Sequence, residues 1–189
     1  MNIEKAILSS NLEKIVYILS KDEYLLQGSY GTILLAQACE TGNLEVVSTL
    51  INSGADVNDV DNVIPSDEIP ISRAAAKGHV KIIELLIQLG IEVNHLGDPE
   101  YWTPLMCAVT GNNLEIVKML VNAGADPNEV RDGGSFPLLF AKDNRQIYDY
   151  LYPITSSNLQ ELAQAEDSRT YFPMDDDDEI DGRWLGMSL

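Results

Sequence analysis

The stretch that decides the fold is GADVN at residues 54–58, because it returns twice further along the chain. It recurs as GIEVN at 90–94 and as GADPN at 124–128, at spacings of 36 and 34 residues. A second block starts twelve residues before each copy. Its three versions are GNLEVV at 42–47, GHVKII at 78–83 and NNLEIV at 112–117. Because both blocks recur at the same two spacings, whole structural units are repeated along the chain.

Each unit is predicted to hold two short helices. A third block supplies the first helix, as TPLMCA at 103–108 and, in degenerate form, at 69–74 and 136–141. Its proline suits the first turn of a helix. Small residues follow it and permit close stacking of neighbouring first helices; they are Ala38, Cys39, Ala74, Ala75 and Ala108.

The second block predicts the second helix, because its apolar residues recur on one helical face. The predicted faces are Leu44, Val47, Leu50 and Ile51; Val80, Ile83, Leu86 and Ile87; and Leu114, Val117, Leu120 and Val121. Gly54, Gly90 and Gly124 then end these helices, as left-handed residues just beyond a helix C-terminus do. Each unit leaves apolar surface that only a neighbour can cover, so the units are stable as an array.

These blocks resemble the ankyrin repeat, and the resemblance covers most of residues 1–165. It implies an all-α fold, a right-handed ankyrin-type solenoid of about five helix–turn–helix repeats with short β-hairpin fingers between them. It further implies that partners bind a concave face made by the fingers and the exposed side of the first helices. His79 occupies a family position that implies a structural hydrogen bond to loop backbone.

The repeats predict the organisation of the chain. The expected segments are an N-terminal capping repeat (1–29), three full repeats (30–61, 62–98 and 99–132), a C-terminal capping repeat (133–166) and an acidic tail (167–189). In the last repeat no GADVN block follows, and a final helix is predicted near 158–166 with Leu159 and Leu162 facing inward.

The charge of the chain excludes several classes of function. Thirty acidic residues stand against twelve basic ones, for a net charge of −18. A nucleic-acid binder needs a basic footprint, and an anionic membrane would repel this chain. No apolar run approaches the roughly 18 residues that a membrane span needs, and the N-terminus shows no signal peptide. We therefore expect a cytoplasmic protein that is monomeric when free.

No catalytic, metal or cofactor site is predicted. Cys39 and Cys107 fall at small core positions of first helices, which favours inert buried thiols. The run from Asp177 to Gly182 looks like the start of a calcium loop, but Ser188 stands where a bidentate glutamate is needed. No nucleophile–base arrangement or phosphate loop occurs, so we expect a protein that is not an enzyme and needs no cofactor.

The three predicted fingers are more acidic than the rest of the chain. Eleven acids lie in them and Arg131 is their one basic residue; the acids are Asp56, Asp59, Asp61, Asp67, Glu68, Glu92, Asp98, Glu100, Asp126, Glu129 and Asp132. Apolar and aromatic residues stand among them, and such residues ringed by charge are typical of interfaces. The predicted partner-binding residues are Asp59, Asp61, Val63, Ile64, Asp67, Glu68, His95, Asp98, Glu100, Tyr101, Trp102, Met106, Thr110, Asp132 and Phe136.

Two functions fit these features. The first is a non-catalytic module that captures a basic protein on an acidic concave face, for toxin-neutralising immunity or for escort of a basic protein. The alternative is a structural adaptor whose acidic tail carries a linear interaction motif. Acidic fingers that only confer solubility are a third interpretation. The finger at 59–68 is three residues longer than the family's, through neutral drift or through selection for a contact.

The acidic run at 175–179 yields a first prediction. Like charges repel and few apolar residues are present to offset the entropy of ordering, so the backbone amides of 175–182 should exchange with solvent without protection in the free protein. Hydrogen–deuterium exchange measures this. Strong protection there would show that the run is ordered in the free chain.

Overall fold

A computed structural model describes residues 2–22, 24–58, 69–94 and 102–165, with only the backbone described at Asp132. Within these ranges the chain forms eleven α-helices. They are α1 (Ile3–Leu8), α2 (Leu12–Leu19), α3 (Gly28–Thr41), α4 (Leu44–Asn52), α5 (Pro70–Lys77), α6 (Val80–Gln88), α7 (Pro104–Thr110), α8 (Leu114–Asn122), α9 (Pro137–Phe140), α10 (Arg145–Leu151) and α11 (Ser157–Ala165). The all-α repeat architecture is confirmed.

The fingers differ in how much of them is described. The predicted fingers at 59–68 and 95–101 and the tail lie outside the described residues. In the third finger, residues 132–134 form a 3-10 turn, and a single antiparallel bridge joins Arg131 to Ser135. The described part of this finger is therefore a turn closed by one bridge rather than a hairpin with extended strands.

Three of the first helices begin at the prolines that the sequence pattern predicted. Pro70, Pro104 and Pro137 each begin a first helix, where the missing N–H costs no hydrogen bond. Second helices start differently: the Asn43 side chain accepts the N–H groups of Glu45 and Val46 at 3.1 and 3.2 Å. Asparagine caps of this kind satisfy N–H groups that have no partner inside the helix.

The first helices form one packed layer through which α5 contacts both α3 and α7. Ala38, Ala74 and Ala108 are completely buried between them, as the small-residue pattern predicted. Since alanine presents only a methyl group, the helix axes can approach closely.

The buried face of the second helices is rotated from the predicted one. In α4 the buried residues are Val46, Val47 and Leu50, whereas Leu44 is 36% exposed. The inward placement predicted for Leu44 is wrong, because at 100° per residue it lies about 110° from the centre of the buried face. Val80 and Leu114, at the equivalent positions, are half-buried.

The final helix is shifted in the same way. Leu159 is 5% exposed, as predicted, but Leu162 is 50% exposed. The inward placement of Leu162 is therefore wrong. Ala163, one full turn after Leu159, is buried instead, because residues four apart share a helical face.

The asparagine that closes the first GADVN block joins two repeats. The Asn58 side chain donates from Nδ2 to the Gly90 carbonyl oxygen at 3.1 Å, and its Oδ1 accepts the Glu92 N–H at 2.9 Å. Both partners belong to the next GADVN block. A single side chain therefore links one repeat to the next by two directed hydrogen bonds, beside the packing of the first helices.

The same contact continues towards the C-terminus. Asn94 donates to the Gly124 carbonyl oxygen at 2.7 Å and accepts the Asp126 N–H at 2.9 Å. Asn128 in turn accepts the Ser156 N–H at 2.6 Å. These three side chains, Asn58, Asn94 and Asn128, form what we call the asparagine ladder.

The last contact of the ladder explains how the C-terminal repeat docks without a GADVN block. The buried Thr155 donates its N–H to the Leu151 carbonyl oxygen at 3.1 Å. Ala125 donates its N–H to the carbonyl oxygen of Leu120, the corresponding helix position, at 2.9 Å across one residue more. Thr155 and Ser156 thus take the place of the second and third residues of the missing block, which the sequence pattern did not reveal.

The N-terminal junction lacks a ladder asparagine. Asp22 accepts the Tyr24 N–H at 3.1 Å, as Asp56 accepts the Asn58 N–H at 2.8 Å, so Tyr24 stands at the ladder position. A phenol ring cannot supply the paired amide bonds. A groove of about 300 Å³ lies at this junction; Val16, Leu19, Ser20, Asp22, Leu26 and Ser53 line it.

A histidine also joins adjacent repeats. His79 Nε2 lies 3.0 Å from the Glu40 carbonyl oxygen, so Nε2 carries the proton. The bond that the resemblance implied is present, but its acceptor lies in the last turn of α3 rather than in a loop. Gly42 is left-handed at φ 74°, and a Cβ there would lie 2.5 Å from His79 Cε1. Both conditions require glycine.

The ladder yields a stability prediction. Asn94→Ala removes two inter-repeat hydrogen bonds that are open to solvent, so the free energy of unfolding should fall by about 1–2 kcal/mol. Urea denaturation followed by circular dichroism measures this. Asn122→Ala, at an exposed position in the following repeat, is the control. Equal stability of the two variants would show that the ladder contributes nothing.

Candidate partner-binding surface

One side of the first helices is not used for stacking. In α5 and α9 the outward residues recur three positions after the helix-starting proline, and in α5 again one turn later. We call the outward residues the first-helix face; they are Gln37, Glu40, Arg73, Ala76, Lys77, Thr110 and Phe140. The face is polar and charged on α3 and α5 and becomes more apolar towards α9.

A charged cluster occupies the α3–α5 part of this face. Arg73 Nη1 lies 2.7 Å from Glu40 Oε2, and Lys77 Nζ lies 3.1 Å from Glu40 Oε1. Burial raises the pKa of the Glu40 carboxyl, but hydrogen bonds and charge from Lys77 and Arg73 outweigh it, and the net shift is downward. Two cations stand here against one anion, so the acidic character predicted for the concave face does not extend to this part.

An aromatic pair occupies the other end of the face. The ring centroids of Trp102 and Phe140 are 4.7 Å apart, with 49° between the ring planes. Trp102 is 39% exposed, and Phe140 is half-buried against the core. A large aromatic ring that is held in place yet open to solvent is typical of an interaction hot spot.

The described finger residues present acids outward. Asp56, Glu92 and Asp126 are exposed. Asp126 Oδ1 accepts the Asn128 N–H at 2.8 Å, which is the turn contact that Asp56 makes in its own repeat. These two aspartates therefore stabilise the start of a finger and also add negative charge to its surface.

Arg131, the one basic residue of the fingers, is withdrawn from the surface. It is 7% exposed, and its Nη1 lies 3.5 Å from Glu129 Oε1. Its backbone N–H donates to the Ser135 carbonyl oxygen at 2.8 Å. Since Arg131 is ion-paired inside the finger, it offsets little of the exposed acidic charge.

The structure distinguishes among the predicted partner-binding residues that it describes. Trp102 and Thr110 are exposed, whereas Met106 is 0% and Phe136 2% exposed. Met106 and Phe136 belong to the buried core of the array, so neither side chain is accessible to a partner in this structure, and the exposure expected for them is not found. Asp132 lies in the 3-10 turn.

The remaining predicted residues lie outside the described part of the chain. They are Asp59, Asp61, Val63, Ile64, Asp67, Glu68, His95, Asp98, Glu100 and Tyr101. Sequence reasoning missed Arg73, Lys77 and Phe140. The signal that could have found them is their place relative to the helix-starting prolines, since Arg73 and Phe140 each lie three residues after one.

Both cysteines are free and buried, as predicted. Burial raises the pKa of the Cys39 thiol, which suppresses the reactive thiolate. Across the described ranges, no cluster of three or more histidine, cysteine or acidic side chains could hold a metal ion. None of the helices in those ranges has the length and apolarity that a membrane crossing requires.

Comparison with known proteins assigns the family. Residues 35–131, about half of the chain, match a family model described as ankyrin repeats, in three copies. The chain belongs to the ankyrin-repeat family. Ankyrin repeats are protein–protein interaction modules, so the array is a module of this kind, and the family is typically non-catalytic.

Three relatives illustrate the range of ankyrin proteins that this chain is similar to. Ankyrin repeat and KH domain-containing protein mask-1 of Caenorhabditis elegans is 32% identical over 133 residues, 70% of this chain and 5% of that protein. Mouse protein phosphatase 1 regulatory subunit 27 is 29% identical, covering 56% of this chain and 66% of the relative. Chicken NF-kappa-B inhibitor alpha is 30% identical, covering 49% and 30%.

The charged cluster yields a pH-dependent prediction. The folded-state pKa of Glu40 is lowered, so its contribution to stability is present above the unfolded value of about 4.3 and is lost as pH falls through the folded pKa. Glu40→Gln should lower the free energy of unfolding by about 0.5 kcal/mol at pH 7, because the pair is partly exposed.

The difference between the variant and the original chain should shrink as pH falls from 7 to 3, since the stability that the carboxylate contributes is lost as pH falls towards and through its lowered folded-state pKa. Urea denaturation at pH 7 and pH 3 measures the difference. A loss of the same size at both pH values would show that the side chain acts by packing rather than by charge.

Proposed function

We propose that this ankyrin array captures a basic protein, with the acidic fingers steering the partner and the aromatic end of the first-helix face anchoring it. Toxin neutralisation and escort of a basic protein are two uses of such binding. In this proposal the chain is monomeric when free and is not an enzyme.

The observation that carries the proposal is the unbalanced charge of the described finger surface. Asp56, Glu92 and Asp126 are exposed, while Arg131 is buried and paired with Glu129. The sequence adds further acids at the two finger segments outside the described residues. Clustered charge of one sign raises the rate at which a surface of opposite charge is encountered.

The aromatic pair supports the second half of the proposal. Charge at an interface rim mainly sets the association rate, whereas desolvated aromatic anchors set how long a complex lasts. Trp102 is exposed and directly follows the acidic finger at 95–101 in sequence, so in this proposal both elements serve one partner. Two relatives are named as a regulatory subunit and an inhibitor, which supports action through binding to another protein.

A matched pair of triple variants tests this proposal. Asp56→Asn, Glu92→Gln and Asp126→Asn together remove three finger charges and keep side-chain acceptors for the turn contacts. Glu45→Gln, Glu84→Gln and Glu115→Gln remove three exposed charges from the second helices. Both sets change the net charge by the same amount.

Each protein is immobilised and used for capture from lysate at about 50 mM and at about 500 mM salt. The two concentrations are compared because charge steering depends strongly on screening by salt. We expect basic proteins to be retained at low salt by the original chain and by the second-helix variant, and much less by the finger variant. Retention of acidic proteins, or equal loss in both variants, would contradict the proposal.

A further inference from the structure

The first GADVN block carries two backbone groups that no ladder asparagine bonds. In the second block the Gly90 carbonyl oxygen and the Glu92 N–H are both bonded by Asn58. The corresponding groups of the first block are the Gly54 carbonyl oxygen and the Asp56 N–H. In the part of the chain that the structure describes, neither group has a hydrogen-bond partner. We call these two groups the open pair.

Tyr24 stands at the ladder position of the preceding repeat, yet its side chain leaves the pair open. A phenol offers one hydroxyl at the end of a rigid ring, and this side chain is 65% exposed rather than packed across the junction. The turn that carries it is present, because Asp22 accepts the Tyr24 N–H at 3.1 Å. The pair is therefore open because of the identity of one side chain and not because the turn is missing.

The open pair lies at the edge of the groove at the N-terminal junction. Ser53, which lines the groove, directly precedes Gly54 in the chain. The groove has a volume of about 300 Å³, at the lower end of the range for ligand pockets. Val16, Leu19 and Leu26 give it apolar walls, and Val16 keeps 53% of its surface exposed. An occupant could therefore bury apolar side chains while it bonds the open pair.

The open pair specifies the chemistry of its occupant. A primary carboxamide carries an N–H donor and a carbonyl acceptor on one planar group, and the chain itself uses this group at Asn58 and Asn94. Lysine and arginine side chains have no acceptor, and an ionised aspartate has no donor for the Gly54 carbonyl oxygen. Asp22, which lines the groove, would also repel an aspartate.

We propose that this groove docks a segment of a partner protein whose asparagine side chain bonds the open pair and whose neighbouring apolar side chains contact the groove walls. The bound segment extends the asparagine ladder by one position towards the N-terminus. The site uses the backbone of Asp56 rather than its charge, and it includes neither Trp102 nor the first-helix face. It therefore does not depend on the proposed function.

Three peptides that differ in one side chain test the site on the full chain. Acetyl-GLNLG-amide, acetyl-GLDLG-amide and acetyl-GLLLG-amide are titrated into the ¹⁵N-labelled protein, and the Asp56 amide signal is followed by NMR. We expect the asparagine peptide to shift this signal at a concentration about fivefold or more below the other two, since two hydrogen bonds distinguish it. The Asp126 N–H, already bonded by Asn94, is the internal control and should not shift.

Tyr24→Asn tests the same pair from within the chain, because it supplies the missing carboxamide. It should unfold at a higher urea concentration than Tyr24→Asp, which has the same shape but no donor, and it should no longer bind the asparagine peptide. Tyr24→Ala removes the phenol without filling the pair, so it should still bind the peptide. Since Tyr24 is exposed, none of these substitutions alters the core.

Several outcomes would overturn the proposal. Equal shifts of the Asp56 signal by all three peptides would show an apolar groove that does not recognise asparagine. Unchanged peptide binding in Tyr24→Asn, or no Asp56 shift at millimolar peptide, would also contradict it. If the chain alone formed a dimer in sedimentation and its Asp56 signal changed with protein concentration, a second copy would be the occupant and the partner segment would be wrong. Salt-dependent capture of basic proteins could succeed in every one of these cases, so the two proposals fail separately.

Discussion

From Asn58 onwards, the hydrogen bonds of the ladder asparagines direct how each repeat sits on the next. One amide side chain donates to a carbonyl oxygen and accepts an N–H of the following block, as Asn58 does with Gly90 and Glu92. Two hydrogen bonds from one rigid amide group restrict both the position and the orientation of one repeat relative to its neighbour. The hydrophobic effect is not directional and does not by itself supply this restriction. The ladder therefore supplies the register in which the alanine-lined first helices stack.

Stacking of the repeats also forms the candidate binding surface, because it brings residues far apart in sequence together. Arg73 reaches Glu40 at 2.7 Å across 33 positions of sequence, and Phe140 in α9 packs on Trp102, which precedes α7. The first-helix face therefore has a charged end and an aromatic end. Steering and anchoring can thus act on one partner from different parts of a rigid scaffold.

Much of the fold could be predicted from the sequence because its signals are local and repeated. The prolines that start first helices, the glycines that end second helices and the small residues between helices all lie where the block pattern placed them. The errors at Leu44 and Leu162 share one cause. Their inward faces are read from an apolar pattern that does not resolve rotation to better than one residue, and a helix turns 100° at each residue. Because the exposed face is narrow, this uncertainty about the rotation of a helix determines which side chains are predicted to be within reach of a partner.

Composition and period are properties of the chain alone, so they are enough to predict the ankyrin family, the number and kind of helices within a repeat, and the acidic excess of the fingers. The folded array is needed to show that Thr155 and Ser156 replace a missing block, that Arg131 is ion-paired inside its finger, and that two cations surround Glu40. Each of these depends on contacts between residues of different repeats or on burial, and both arise only when the repeats are stacked in a definite register.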